Sequence, residues 1–176
     1  MNINERSERT RRIAICAMLS ALGVVVLYVG SLVEVLDISM AALASLFVIF
    51  AVIEYGKAAW AIYAVTGILS AVLLPHKLPA AMYIFFLGFY PIIKEKIEKL
   101  HKKVAQWGVK IVVFNLCLII LIFLTNAVLA LEFRKIFVFE AVFMLLANFT
   151  FVIYDIALTR LISLYLFRLR RKFRIK

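Results

Sequence analysis

Residues 13–33 pass without a single charged side chain, and five further predominantly apolar runs follow before the chain ends. An apolar helix of about 20 residues is what covers the hydrocarbon of a bilayer, and fewer suffice when its ends snorkel. The spacing predicts spans near 12–33, 37–53, 58–74, 78–93, 106–131 and 137–159. The expected fold is therefore an all-α membrane protein of six transmembrane helices, one integral membrane domain over 1–176. Composition points the same way. The chain is 66% hydrophobic and 18% charged, whereas a soluble domain is about half apolar and about a quarter charged. A water-soluble fold of 176 residues has too much surface for its volume to hide that apolar content.

The run at 78–93 is short enough to be read either as a tilted span or as a re-entrant hairpin. Charge decides between them. With six spans and a cytoplasmic N-terminus, 18 of the 21 Lys and Arg face the cytoplasm, leaving Lys77, Arg134 and Lys135 outside. Merging or deleting a span puts a basic cluster on the outer face, against the positive-inside rule. Both termini are then cytoplasmic. The opening MNINERSERTRR resembles the start of a signal sequence, but the uncharged run after it is longer than a signal core. No small-x-small cleavage site follows, so it is expected to remain as the first span.

The net charge of +11 lies between and beyond the apolar runs, which assigns it to membrane orientation rather than to nucleic acid. The tail 160–176, LISLYLFRLRRKFRIK from Leu161 on, reads as a basic interfacial helix end in contact with membrane lipid or docking a cytoplasmic partner. KEKIEKLHKK (94–103) carries the same two alternatives, with Glu95 and Lys99 at the i,i+4 spacing of a solvated helix. Cys16 and Cys117 lie inside apolar runs and read as small buried hydrophobes.

No Walker A, GxGxxG, HExxH or GxSxG pattern occurs, and His76 and His101 fall on opposite faces. No catalytic residue, metal site or cofactor is therefore expected. The polar residues that remain gather at the outer face: Glu34 and Asp37 in the first external connection with Ser31 and Ser39, His76 and Lys77 between Pro75 and Pro79, Thr125 and Asn126 in span five, and Glu140 in span six. Asn148 and Thr150 reach deeper. Glu34, Asp37, His76, Lys77 and Asn126 are the expected border of an outward-open site for a small-molecule ligand. Asp155, one turn above the cytoplasmic edge, is expected to pair structurally, with Arg160 or a neighbouring helix.

Helices associate in lipid through close packing, which small residues permit. Ala17 and Ala21 form such a stripe on the first span with Ala14, Ala41 and Ser45 on the second, and Gly67 and Ala71 on the third. Each pair reads either as internal packing or as a face for another membrane subunit.

TRRIAICAMLSALGVVV resembles the first helix of the S components of energy-coupling factor transporters, the vitamin importers of prokaryotes. A basic N-terminus leads there into an Ala-rich helix with an AxxxA element, here Ala17 and Ala21. The resemblance implies a substrate-binding subunit in the plasma membrane of a prokaryote, docked through Ala17 and Ala21 on a transmembrane scaffold driven by two ATPases. It implies no enzymatic activity of its own. The short first external connection departs from members that close their site with a longer loop. A second reading is a non-catalytic scaffold of a cell-envelope or morphogenesis complex, similar to the shape-determining membrane protein of the MreD type.

Overall fold

The computed structural model describes residues 3–100, 102–129 and 137–169. The described residues are helical apart from short turns, with no strand among them. Helix α1 covers Ile3–Leu32 and α2 covers Asp37–Tyr55, joined by a 3-10 turn at Glu34–Leu36. Helix α3 (Ala59–Leu73) follows a second 3-10 turn, Gly56–Ala58. Helix α4 (Leu78–Met82) runs into a π-helical segment, Tyr83–Leu87, and then α5 (Tyr90–Ile97). Helix α6 spans Lys103–Leu129 and α7 spans Phe137–Leu164, ending in a second π segment, Tyr165–Leu169.

Four helical stretches are long and apolar enough to cross a membrane: Glu5–Leu32, Asp37–Leu73, Lys103–Phe123 and Val142–Phe167. Their outward faces carry large apolar side chains, among them Met18, Ile68, Val72, Val112 and Leu145. Exposed apolar side chains of this kind on helices of that length are compatible with lipid around them.

The chain divides into two units, Met1–Ile122 and Phe123–Lys176. In the first, the 37-residue stretch Asp37–Leu73 is not one rod. Gly56 takes φ +54°, a left-handed conformation that a Cβ disfavours, and the chain reverses there. The reversal follows from what meets at the far end: Asp37, which opens α2, faces His76, just beyond α3. Helices α2 and α3 are therefore antiparallel. Helix α1 is antiparallel to α2 as well, because Gly30 near its end lies against Met40 near the start of α2. A Cβ on Gly30 would come 2.6 Å from the Met40 Cβ. Gly23 similarly admits Thr66 of α3, whose Cγ2 would lie 3.0 Å from an added Cβ.

Helix α2 is the centre of this unit: Ala41, Ala44, Ser45, Val48, Ile49 and Ala51 are all buried. The 78–97 segment runs along it from the His76 end to the Gly56 end. Ile84 packs on Gly67 in mid-α3, and Lys96 reaches Trp60 at the start of α3. The segment thus traverses the unit and does not fold back as a re-entrant hairpin. Its irregularity has local causes. Gly88 donates to the Tyr83 carbonyl five residues earlier, at 2.7 Å, and Pro91 has no N–H to continue a helical ladder. Tyr63 of α3 donates its hydroxyl to the Ile84 carbonyl at 2.8 Å. Helix α6 joins through Phe114, whose ring meets Phe86 at 5.1 Å; Lys110, Phe114 and Cys117 form its buried face.

In the second unit, α7 buries Phe151, Asp155 and Leu158 at i, i+4, i+7. Its hydroxyl and amide side chains bond back to their own helix: Asn148 to the Met144 carbonyl, Thr150 to Leu146, Thr159 to Asp155 and Ser163 to Thr159. Such back-bonding satisfies polar groups in an apolar surrounding.

The expected limits at 33, 37, 53, 58, 74 and 78 agree with helix ends to within two residues. Among the described residues, however, four stretches rather than the six expected are long and apolar enough to cross a membrane, and the expected limit at 131 lies outside those residues. Helix α1 starts well before residue 12, and α7 continues past 159. The fourth expected span is a broken helix extending to Ile97. His101, Arg134, Lys135 and residues 170–176 lie outside the described residues, as do the side chains of Glu34, Thr125, Asn126, Glu140 and Arg168.

Candidate functional site

Asp37 is the first residue of α2, where a carboxylate complements the positive end of the helix dipole. It is only 3% exposed, and its Oδ2 lies 3.4 Å from His76 Nδ1. That is an ion pair whenever the imidazole carries a second proton. The imidazole is itself 42% exposed, so the pair joins a buried carboxylate to a group that solvent or solute can reach.

Lys77, one residue on, has a different task. Its ammonium donates to the carbonyls of Ala71, Val72 and Leu74 at 2.9, 3.4 and 2.7 Å. These are carbonyls left open where α3 ends, and a cation there also complements the dipole. Pro79 then starts α4 in the first helical turn, where its missing N–H costs nothing. Ser31 is buried and donates to the Tyr28 carbonyl at 2.7 Å; Ser39 is exposed.

Of the five residues expected to border a ligand site, the structure brings Asp37 and His76 together. Lys77 lies beside them but turns its ammonium onto α3. The side chains of Glu34 and Asn126 lie outside the described residues. Asp37 and His76 mark one end of the first unit. The 19 residues of α2, at about 1.5 Å each, place the Gly56 turn roughly 28 Å away. Of the described lysines of this unit only Lys77 sits at the Asp37 end. Lys57, Lys94, Lys96, Lys99 and Lys110 belong to the other.

That opposite end holds an arrangement the sequence reading did not foresee. Lys94 is 1% exposed and Lys110 5%, although Lys94 read as part of the basic 94–103 segment and Lys110 as a cytoplasmic-side lysine at the start of the fifth expected span. Both ammonium groups meet Glu98 Oε1, at 3.0 and 3.2 Å. The i,i+4 spacing of Lys94 and Glu98 was visible, as was that of Glu95 and Lys99, which do pair at 2.8 Å on the surface. Nothing in the spacing revealed that α6 would bring Lys110 to the same oxygen.

The small-residue pairs divide. Ala41 and Ser45 are fully buried and pack inside the unit. Gly67 is buried but Ala71 is exposed. Ala14, Ala17 and Ala21 are exposed on α1, whose buried side is formed by Ser20, Gly23, Val24, Leu27 and Gly30. Asp155 is 2% exposed, while Arg160 is exposed. Among the described residues, no three His, Cys, Asp or Glu side chains converge to hold a metal ion. No protein-family model, curated protein or solved structure matches the chain.

Proposed function

We propose that this chain is the ligand-binding membrane subunit of a small-molecule importer. On this reading it crosses the plasma membrane of a prokaryotic cell six times, with both termini in the cytoplasm. It docks through α1 on a transmembrane scaffold driven by two ATPases. Helices α2 and α3 count as separate crossings, and the broken 78–97 segment as the fourth. The basic end of the first unit is then cytoplasmic and the Asp37–His76 end faces outward.

The observation that carries the reading is the direction of the Ala17/Ala21 stripe: it faces out of its own bundle. Small residues on an outward face offer a second membrane subunit a close approach of backbones, the contact by which helices associate in lipid. The ligand end is the Asp37–His76 pair. A small solute with a cationic or hydrogen-bond-donating group competes there with His76 for a carboxylate already fixed by its helix.

The test is Ala21→Trp in the full chain. Thermal stability in detergent is expected to stay within about 0.5 kcal/mol of the native chain, as for surface substitutions generally. Recovery of the chain in complex with its scaffold is expected to collapse. Lost stability without a selective loss of complex returns the stripe to internal packing and removes the support for an importer subunit.

A further inference from the structure

We infer that the elbow between α5 and α6 is a binding site for the anionic headgroup of a membrane lipid. The elbow is built before it is charged. Glu98 binds Lys94 on its own helix and Lys110 on α6. Gln106 adds two hydrogen bonds, donating its side-chain amide to the carbonyls of Glu98 and Leu100 at 3.2 and 2.7 Å. The last turn of α5 and the first turns of α6 are thus held in one geometry.

On this frame stands an excess of positive charge. Residues 94–110 contain six lysines against two glutamates. Both glutamates are engaged, Glu98 as above and Glu95 with Lys99. Lys96, Lys102 and Lys103 are exposed, and Lys102 and Lys103 make no ion pair among the described residues.

The depth of this charge selects the ligand. The chain has only two tryptophans, and both lie at this end with a lysine over the ring. Lys96 stands 5.9 Å from the centre of Trp60 and Lys110 stands 5.4 Å from that of Trp107. Tryptophan in membrane proteins collects at the headgroup level, so the exposed ammonium groups sit at the height of lipid phosphates. Leu100 and Val104 are exposed among the lysines, Val104 almost fully. A soluble phosphate has nothing to lay against them, whereas a phospholipid carries its glycerol and acyl chains to that surface. Basic sites between helices on the cytoplasmic side are suited to anionic headgroups for this reason.

The two tryptophans are a built-in probe. The full chain is reconstituted into phosphatidylcholine vesicles containing phosphatidylglycerol, with bromine placed on the acyl chains of one lipid or the other. Brominated phosphatidylglycerol is expected to quench the tryptophan fluorescence more strongly than brominated phosphatidylcholine at equal mole fraction. Lys96→Gln, Lys102→Gln and Lys103→Gln combined should lower that preference at least about fivefold, and the corresponding Arg triple should keep it. All three side chains are exposed, and helicity measured by circular dichroism checks that the variants fold. Equal quenching by the two lipids in the native chain overturns the inference. So does a preference that survives the Gln triple, and so does loss of the preference on adding inorganic phosphate, which assigns the site to soluble anions.

Discussion

Glu98 is the residue on which the charge balance of the basic end turns. Two ammonium groups removed from water share one of its oxygens, and hydrogen bonds to charged groups are the strong ones. Glu98→Gln keeps the shape and removes the charge, and is expected to lower stability by about 2 kcal/mol. Glu95→Gln, which breaks an exposed pair, should cost less than about 0.5 kcal/mol. Thermal unfolding of the two variants side by side in one detergent checks the contrast. At Gly30 the constraint is space. Any side chain must displace the backbone-proximal Met40 Cβ, so Gly30→Leu is expected to cost about 1–3 kcal/mol by overpacking, measured in the same way. These residues show where residue-level reading ended. Asp37 and His76 stood out as polar groups at one depth, and the fold joins them because the Gly56 turn returns α3 beside the start of α2. Lys94 looked identical to the other lysines of the 94–103 segment, and Lys110 stood alone at the start of an apolar run, because the meeting of both with Glu98 depends on how α6 packs and not on the local chain.

The 78–97 segment is the element whose irregularity has the most specific cause. A π turn leaves carbonyls out of the regular i→i+4 pattern, and in an apolar surrounding each needs a partner. The Tyr63 hydroxyl supplies one to Ile84, and the ring also stacks at 6.0 Å on Tyr83. Tyr63→Phe keeps the ring and deletes the donor. It should reduce stability by about 1 kcal/mol and speed amide exchange in residues 83–88 more than elsewhere in the unit, which hydrogen exchange by mass spectrometry resolves. The sequence reading marked the fourth run only by its shortness, and the roles of Gly88 and Pro91 came with the fold. The sequence did not display the partner, because Tyr63 lies on another helix and its meeting with the Ile84 carbonyl depends on how the two segments pack. The limits of α2 and α3 were legible because apolar length is a local property. The Ala17/Ala21 stripe was legible as a pattern but not in its direction, which depends on α1 turning Gly23 and Gly30 inward.

At the scale of the molecule, charge and shape agree within the first unit: its described lysines other than Lys77 gather at one end and Asp37 with His76 at the other. In a chain with Cys16 and Cys117 replaced, a cysteine introduced at position 77 is expected to react with an impermeant reagent added to intact cells. One at position 99 should react only after the membrane is opened. Assembly is the further claim, and it rests on an exposed face that sequence resemblance alone could not orient. The most direct measurement is purification of the tagged full chain from its native membranes in mild detergent, with ATP hydrolysis and subunit composition read on the same fraction. The account predicts an ATP-hydrolysing complex with a transmembrane scaffold and two ATPases, lost from the Ala21→Trp chain while that chain remains folded. A native chain that purifies folded without any ATPase, or an Ala21→Trp chain that retains the full complex, contradicts it.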